Sequence, residues 1–107
     1  MAKDLTALYN PIRKFIILNG DWVYKTTDTE LLNVVFHEMR HHYQNLQIDL
    51  YLNGLITNVD VQVIEEWKIC FEKYYKPSQT DFYFYINQSI EKDAFEFSKS
   101  LLTEIIT

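Results

Sequence analysis

The chain has 107 residues, 48% of them hydrophobic and 23% charged, which suits one domain with its own core. Fifteen acidic and ten basic residues give a net charge of -5. The basic residues are scattered along the chain, which argues against nucleic acid or a membrane surface as a partner. Cys70 is the single cysteine, and residues 1–10 lack the pattern of a secretory signal. We therefore expect one cytoplasmic domain over residues 1–107.

Two runs of β-prone residues flank a turn pattern near the N-terminus. The first run extends from Lys14 to Asn19, Gly20-Asp21 supplies the turn, and Trp22 to Lys25 forms the second run. Branched and aromatic residues favour strands, whereas Gly and Asp favour turns. The pattern predicts a short β-hairpin with its turn at residues 20–21.

A long helix is predicted after this hairpin. Thr27 and Glu30 have the spacing of a capping box, in which a hydroxyl and a carboxylate bind the first backbone N–H groups. Apolar residues then recur from Leu31 to Leu52, until Asn53-Gly54 favours an end.

The middle of this helix contains the pattern His-Glu-x-x-His, formed by His37, Glu38 and His41. Residues four apart lie on one helical face, so the two imidazoles can converge on a single ion. Glu38 is turned by about 100° around the helix axis, where it can take a proton from a metal-activated water. The pattern predicts half of a metal site with a general base beside it.

Two more helices are predicted. A middle helix fits Val59 to Tyr75 and ends before Pro77, and a last helix extends through Ile106 with Asn87 as its cap. The three main helices and the hairpin together predict the α+β class.

An aromatic segment, Phe82 to Ile86, precedes the last helix and fits either a short strand or the wall of a pocket. In a strand, Tyr83 and Tyr85 would face the side opposite Phe82 and Phe84, with which they alternate. We expect one of these tyrosines to donate a hydrogen bond to an oxyanion, with His42 or Arg40 as the fallback donor.

A third ligand is needed, because a catalytic zinc normally takes three protein ligands and a water. No histidine follows His42, so a carboxylate is expected. Glu91 ranks first, since Ala94 lies on the same helical face and permits close approach of two helices. Asp93 is the alternative as a ligand or as a support, and its side chain points about 200° away from that of Glu91.

The segment His37-Glu38-Met39-Arg40-His41, followed by Tyr43-Gln44, resembles the gluzincin branch of zinc metallopeptidases when it is taken with Glu91-Lys92-Asp93-Ala94. It is more narrowly similar to small bacterial and phage-encoded proteins predicted to be metallopeptidases. The likeness covers Leu31 to Leu101, within which the two short motifs are the specific part.

This resemblance implies a minimal zincin-like domain with an N-terminal β-hairpin followed by three main helices. It further implies Zn²⁺ held by His37, His41 and Glu91, with Glu38 as the general base. The substrate would be a peptide or protein held against an edge strand. One departure concerns the aspartate that commonly supports a ligand histidine four residues after the Glu ligand. Phe95 occupies that position, so support would come from Asp93, Asn87 or a backbone carbonyl.

Two other hypotheses stay open. The chain could be a catalytically silent, metal-stabilised interaction module, such as an accessory protein of a phage or mobile element that binds a host factor. It could also be a metal-free helical domain in which the histidine pair is incidental.

Overall fold

The computed structural model describes residues 6–73 and 87–106. Within these ranges, two antiparallel strands precede four helices. These are β1 (Ala7–Asn10), β2 (Phe15–Leu18), α1 (Gly20–Lys25), α2 (Asp28–Leu52), α3 (Val61–Glu72) and α4 (Ser89–Ile106). The predicted α+β class with an N-terminal hairpin is confirmed. The aromatic segment with Tyr83 and Tyr85 lies outside the described residues.

The hairpin lies earlier in the chain than predicted. β2 lies within the first predicted run, but its partner is β1, with Ala7 opposite Leu18 and Asn10 opposite Phe15. The Asn10 side chain accepts hydrogen bonds at 3.0 Å from two backbone N–H groups of the connecting turn. Lys14 closes this turn in the left-handed region, with φ of 59°. The local bonds of Asn10 therefore place the turn at residues 11–14.

The second predicted strand, Trp22 to Lys25, is instead part of helix α1. Asn19 caps this helix, because its side chain accepts a hydrogen bond from the backbone N–H of Asp21. A capping asparagine followed by an acidic residue is a helix start as well as a turn pattern, and the helix is formed here.

Helix α2 begins and ends as predicted. Thr27 caps it, with Oγ1 accepting from the backbone N–H of Glu30 at 3.2 Å. The Glu30 carboxylate accepts from the hydroxyl of Thr26 at 2.8 Å. Gly54 follows the last turn with φ of 70°, a conformation that glycine adopts at little cost.

The predicted bounds of the other two helices need small corrections. α3 begins at Val61 instead of Val59, because the Asp60 side chain caps it, and it ends at Glu72 with Lys73 as its C-cap, earlier than the predicted end at Tyr75. α4 begins at Ser89, and the Gln88 carbonyl accepts its first helical bond. Asn87 therefore precedes the cap position instead of occupying it.

An apolar core joins α2, α3 and α4. Ile48 of α2, Ile64 and Trp67 of α3, and Ile90 of α4 are buried together. This cluster holds α4 against α2 about two turns after the His-Glu-x-x-His pattern, since Ile48 follows His41 by seven residues. None of the helices in the described ranges is both long and apolar enough to cross a membrane.

Candidate metal centre

One face of α2 buries polar side chains where an apolar stripe would be usual. His37, His41 and Gln44 are 7%, 6% and 0% exposed, and Glu38 beside them is 9% exposed. The spacings of four and three residues place the first three on one stripe of the helix. Burial of so many polar groups costs free energy unless each has a partner, so this face is built for specific contacts.

The facing surface of α4 carries a buried carboxylate flanked by small and apolar residues. Glu91 is 1% exposed, Ala94 is 0% and Ile90 is 2%. The methyl side chain of Ala94 allows the two helices to approach, as the sequence predicted. Glu91 therefore reaches the histidine face of α2.

Both histidine rings converge on one oxygen atom of Glu91. The Glu91 Oε1 lies 2.8 Å from His37 Nε2 and 3.0 Å from His41 Nε2. The two rings are nearly perpendicular, at 87°, with centroids 4.8 Å apart. Two nitrogens from α2 and one oxygen from α4 thus point at a common position.

Glu38 brings a second carboxylate to the same place. One ligand atom each from His37, Glu38 and His41 lies within 4.8 Å of the others, so this buried group could hold a metal ion. The donor set of imidazole and carboxylate suits a divalent ion such as zinc. Tetrahedral donors about 2.1 Å from zinc are roughly 3.4 Å apart, so small side-chain shifts would fit the Glu91 and histidine atoms around an ion.

Burial raises the pKa of the Glu38 carboxyl, and the nearby charge of Glu91 acts in the same direction. The two histidines and a hydrogen bond from the backbone of Tyr9 oppose this shift without cancelling it. A carboxyl with a raised pKa is a better proton acceptor, as a general base requires.

His41 has a raised pKa although burial alone would lower it. The hydrogen bond and the charge of Glu91 outweigh burial, and Glu38 and Gln44 add to the effect. In the absence of a metal, the site therefore favours a proton on His41. A metal ion would compete with that proton for the same ring nitrogen.

Asp93, the alternative ligand, contacts Arg40 and Gln44. Its Oδ2 accepts from Arg40 Nε at 2.8 Å and from Gln44 Nε2 at 2.8 Å, and its Oδ1 accepts from Arg40 Nη2 at 3.2 Å. Arg40 and Asp93 thus form an ion pair between α2 and α4. These contacts suit Asp93 to the supporting role that the sequence offered as the alternative to a ligand role.

The other predicted candidate on α2, His42, faces the hairpin. Its Nδ1 lies 2.9 Å from the Tyr9 hydroxyl, and the two rings meet edge to face. Phe95, which occupies the position where the resemblance implies an aspartate, packs its ring on His37 with centroids 4.4 Å apart. His37 therefore has an aromatic neighbour at the place of that carboxylate.

Sequence reasoning did not select Gln44 as a functional residue. Its Oε1 lies 2.9 Å from His41 Nδ1, the ring nitrogen that faces away from Glu91. The sequence did contain one signal for this contact. Gln44 follows His41 by three residues, and side chains at i and i+3 are neighbours on a helix.

Comparisons of the chain with protein-family models, curated proteins and solved structures find no match. The class of site is therefore defined by its geometry: a buried group of two histidines and a carboxylate, His37, His41 and Glu38, that could hold a metal ion.

Proposed function

We propose that the protein is a zinc-dependent metallopeptidase of the gluzincin type, with His37, His41 and Glu91 as the zinc ligands and Glu38 as the general base. The convergence of His37 Nε2 and His41 Nε2 on Glu91 Oε1, at 2.8 and 3.0 Å, is the observation that carries the proposal. The carboxylate lies 50 residues after His41, on a later helix. A gluzincin site likewise takes its Glu ligand from a later helix than the histidine pair.

Glu91 is preferred over Glu38 as the ligand for a geometric reason. A single Glu91 oxygen is nearly equidistant from both Nε2 atoms and comes from a separate helix. Glu38 belongs to the same helix as the two histidines, and one of its carboxylate oxygens lies within 4.8 Å of a ring nitrogen of each. Glu38 is thus left beside the ion, where it can accept a proton.

Zinc, when bound, supplies a Lewis acid that polarises a scissile carbonyl and lowers the pKa of water. The Glu38 carboxylate accepts the proton of the attacking water, and its burial favours this transfer. It then donates the proton to the leaving amine. The helical scaffold holds the histidine rings in place during both steps.

The proposal is tested with zinc-loaded protein and a library of quenched fluorescent peptides. Wild-type protein should cleave members of the library, and Glu38→Gln should slow cleavage by about 10²- to 10⁴-fold, the usual contribution of a general base. Zinc content should be the same in both proteins. Cleavage by Glu38→Gln at the wild-type rate would remove Glu38 from its proposed role.

A second candidate function is a catalytically silent, metal-stabilised interaction module. The burial of His37, Glu38 and His41, each at most 9% exposed, favours it, because a substrate must reach the ion. Wild-type protein that carries one zinc per chain and leaves both the library and unfolded casein intact would support this module over the peptidase.

A further inference from the structure

Gln44 is a buried glutamine with every polar atom of its amide occupied. It is 0% exposed and lies one helical turn after His41. Its Nε2 donates to the backbone carbonyl of Ile90 at 3.0 Å and to Asp93 Oδ2 at 2.8 Å. Its Oε1 lies 2.9 Å from His41 Nδ1.

These contacts fix which way the Gln44 amide points. A carbonyl and a carboxylate only accept hydrogen bonds, so the Gln44 NH₂ group must face Ile90 and Asp93. The Gln44 oxygen must then face His41, and the only bond it can make is one donated by the Nδ1–H of the ring. Because Nδ1 carries this proton, Nε2 is the ring nitrogen that faces Glu91 and can bind an ion.

A chain of contacts extends this arrangement to the edge of the site. Asp93 accepts from both Gln44 and Arg40. The Arg40 guanidinium lies over the rings of Tyr43 and Phe97, at 4.5 and 4.9 Å from their centroids. Asp93 and Arg40 therefore hold Gln44, and Gln44 holds His41.

We propose that Gln44 is a positioning residue that fixes the orientation and tautomer of His41 for metal binding, with Asp93 as the residue that sets the direction of the Gln44 amide. This inference deepens the proposed function and rests on it, since it assigns His41 Nε2 to the metal. A neutral amide in this role keeps the second nitrogen of His41 protonated without adding another charge beside Glu38 and Glu91.

The first test replaces Gln44 with methionine, which has a similar length and no hydrogen-bonding amide. Loss of the partner of a ligand histidine typically weakens metal binding by about 10- to 100-fold. We expect the zinc Kd of Gln44→Met to rise by that factor. We also expect the visible absorption of the cobalt-substituted protein to change, because the ring is no longer held in one orientation.

Gln47→Met is the matched control. Gln47 is also buried on α2, at 4% exposed, and its Oε1 accepts from the backbone N–H of Asn58 at 3.1 Å, away from the histidines. This variant should lose stability through a lost buried hydrogen bond while its zinc Kd and cobalt spectrum stay as in the wild type. Equal effects of the two substitutions on metal binding would overturn the inference.

A second pair of variants keeps the test decisive if Gln44→Met does not fold. Gln44→Glu places a carboxylate oxygen against Asp93 and the Ile90 carbonyl, so it should weaken zinc binding by at least about 10-fold. Adding Asp93→Asn restores a donor toward that oxygen, and the double variant should regain most of the lost affinity. No recovery in a folded double variant would contradict the role of Asp93.

The outcomes separate this inference from the proposed function. Wild-type protein that binds neither zinc nor cobalt overturns both. Wild-type binding with an unchanged Kd and cobalt spectrum in Gln44→Met overturns the role of Gln44 alone and leaves the ligand assignment intact.

Discussion

Helix α2 has two buried regions of opposite character along one face. Residues 37–44 meet α4 through histidines, carboxylates and an amide, whereas Ile48 meets α3 and α4 in an apolar cluster. The apolar cluster is stabilised by burial alone, which tolerates small changes in shape. The polar region depends on particular partners, and within the described residues each fully buried side-chain nitrogen or oxygen has one. The apolar cluster maintains the fold, whereas the polar region costs free energy of folding that a functional site can explain.

The largest effect that separates the two regions should come from Ile64→Ala in the apolar cluster. Ile64 is 0% exposed, and such truncations cost about 2–5 kcal/mol of unfolding free energy. Urea titration should show this loss, while the zinc Kd of the folded variant stays near that of the wild type. Ile69→Ala on the same helix is the control, because Ile69 is 52% exposed and should cost far less. A zinc Kd that changes as much as stability would mean that the regions are not separable.

Zinc should stabilise the polar region directly. Free zinc at 100 times its Kd should raise the free energy of unfolding by about 2.7 kcal/mol, measured as a higher Tm after chelator-treated protein is reloaded. His41→Ala should abolish this gain, because it removes one ligand. The same gain in His41→Ala as in the wild type would place the ion elsewhere.

Acid should weaken zinc binding through His41. Its pKa is raised mainly by Glu91 against the effect of burial, so a proton occupies the ring up to a pH above the ordinary value of 6.5. Below the raised pKa each unit of pH should weaken binding by about tenfold, because one proton must leave for the ion to bind. Calorimetric titrations between pH 6 and 8 measure this slope, and a pH-independent Kd would exclude His41 Nε2 as a ligand.

The same shift should affect stability without metal. A group whose pKa is higher in the folded state than in the unfolded state stabilises the folded protein. This contribution is full at pH values below the unfolded-state pKa and is lost as pH rises through the folded-state pKa. Burial raises the pKa of Glu38, so its contribution has the same sign. Chelated protein should therefore become less stable from these two groups as pH rises, and zinc should offset the loss.

The smallest effect is expected at the edge of the polar region. Arg40→Lys keeps the charge but loses the two-point contact with Asp93, at 2.8 and 3.2 Å, and should cost about 1 kcal/mol or less. Lys14→Arg is the control for an exposed pair, because Lys14 bonds Asp49 at the surface. Thermal unfolding of both variants checks the difference. A loss for Arg40→Lys that matches Ile64→Ala would make this ion pair part of the core.

Local patterns were sufficient to predict much of the fold. The Thr27 cap and Gly54 bracket α2 because their effects act within a few residues. The hairpin was misplaced because Asn19-Gly20-Asp21 fits both a turn and a helix start. Pairing of β2 with β1 depends on contacts between strands that no local pattern contains.

The site was predictable where spacing determines geometry. The shared face of His37 and His41 follows from helical periodicity, and Ala94 indicated which acidic residue could approach. Gln44 was missed because an amide has no special chemistry until its partners are known. The exchange of an expected aspartate for Phe95 likewise gave no sign that Gln44 would lie between Asp93 and His41.

The central claim is that Glu91 is a ligand and Glu38 is not, and zinc titration of Glu91→Gln beside Glu38→Gln tests it most directly. Both substitutions remove a buried carboxylate with little change in shape. We expect one tightly bound zinc in Glu38→Gln, as in the wild type, and binding at least about 100-fold weaker in Glu91→Gln. Tight binding in Glu91→Gln together with its loss in Glu38→Gln would make Glu38 the ligand and remove Glu91 from that role.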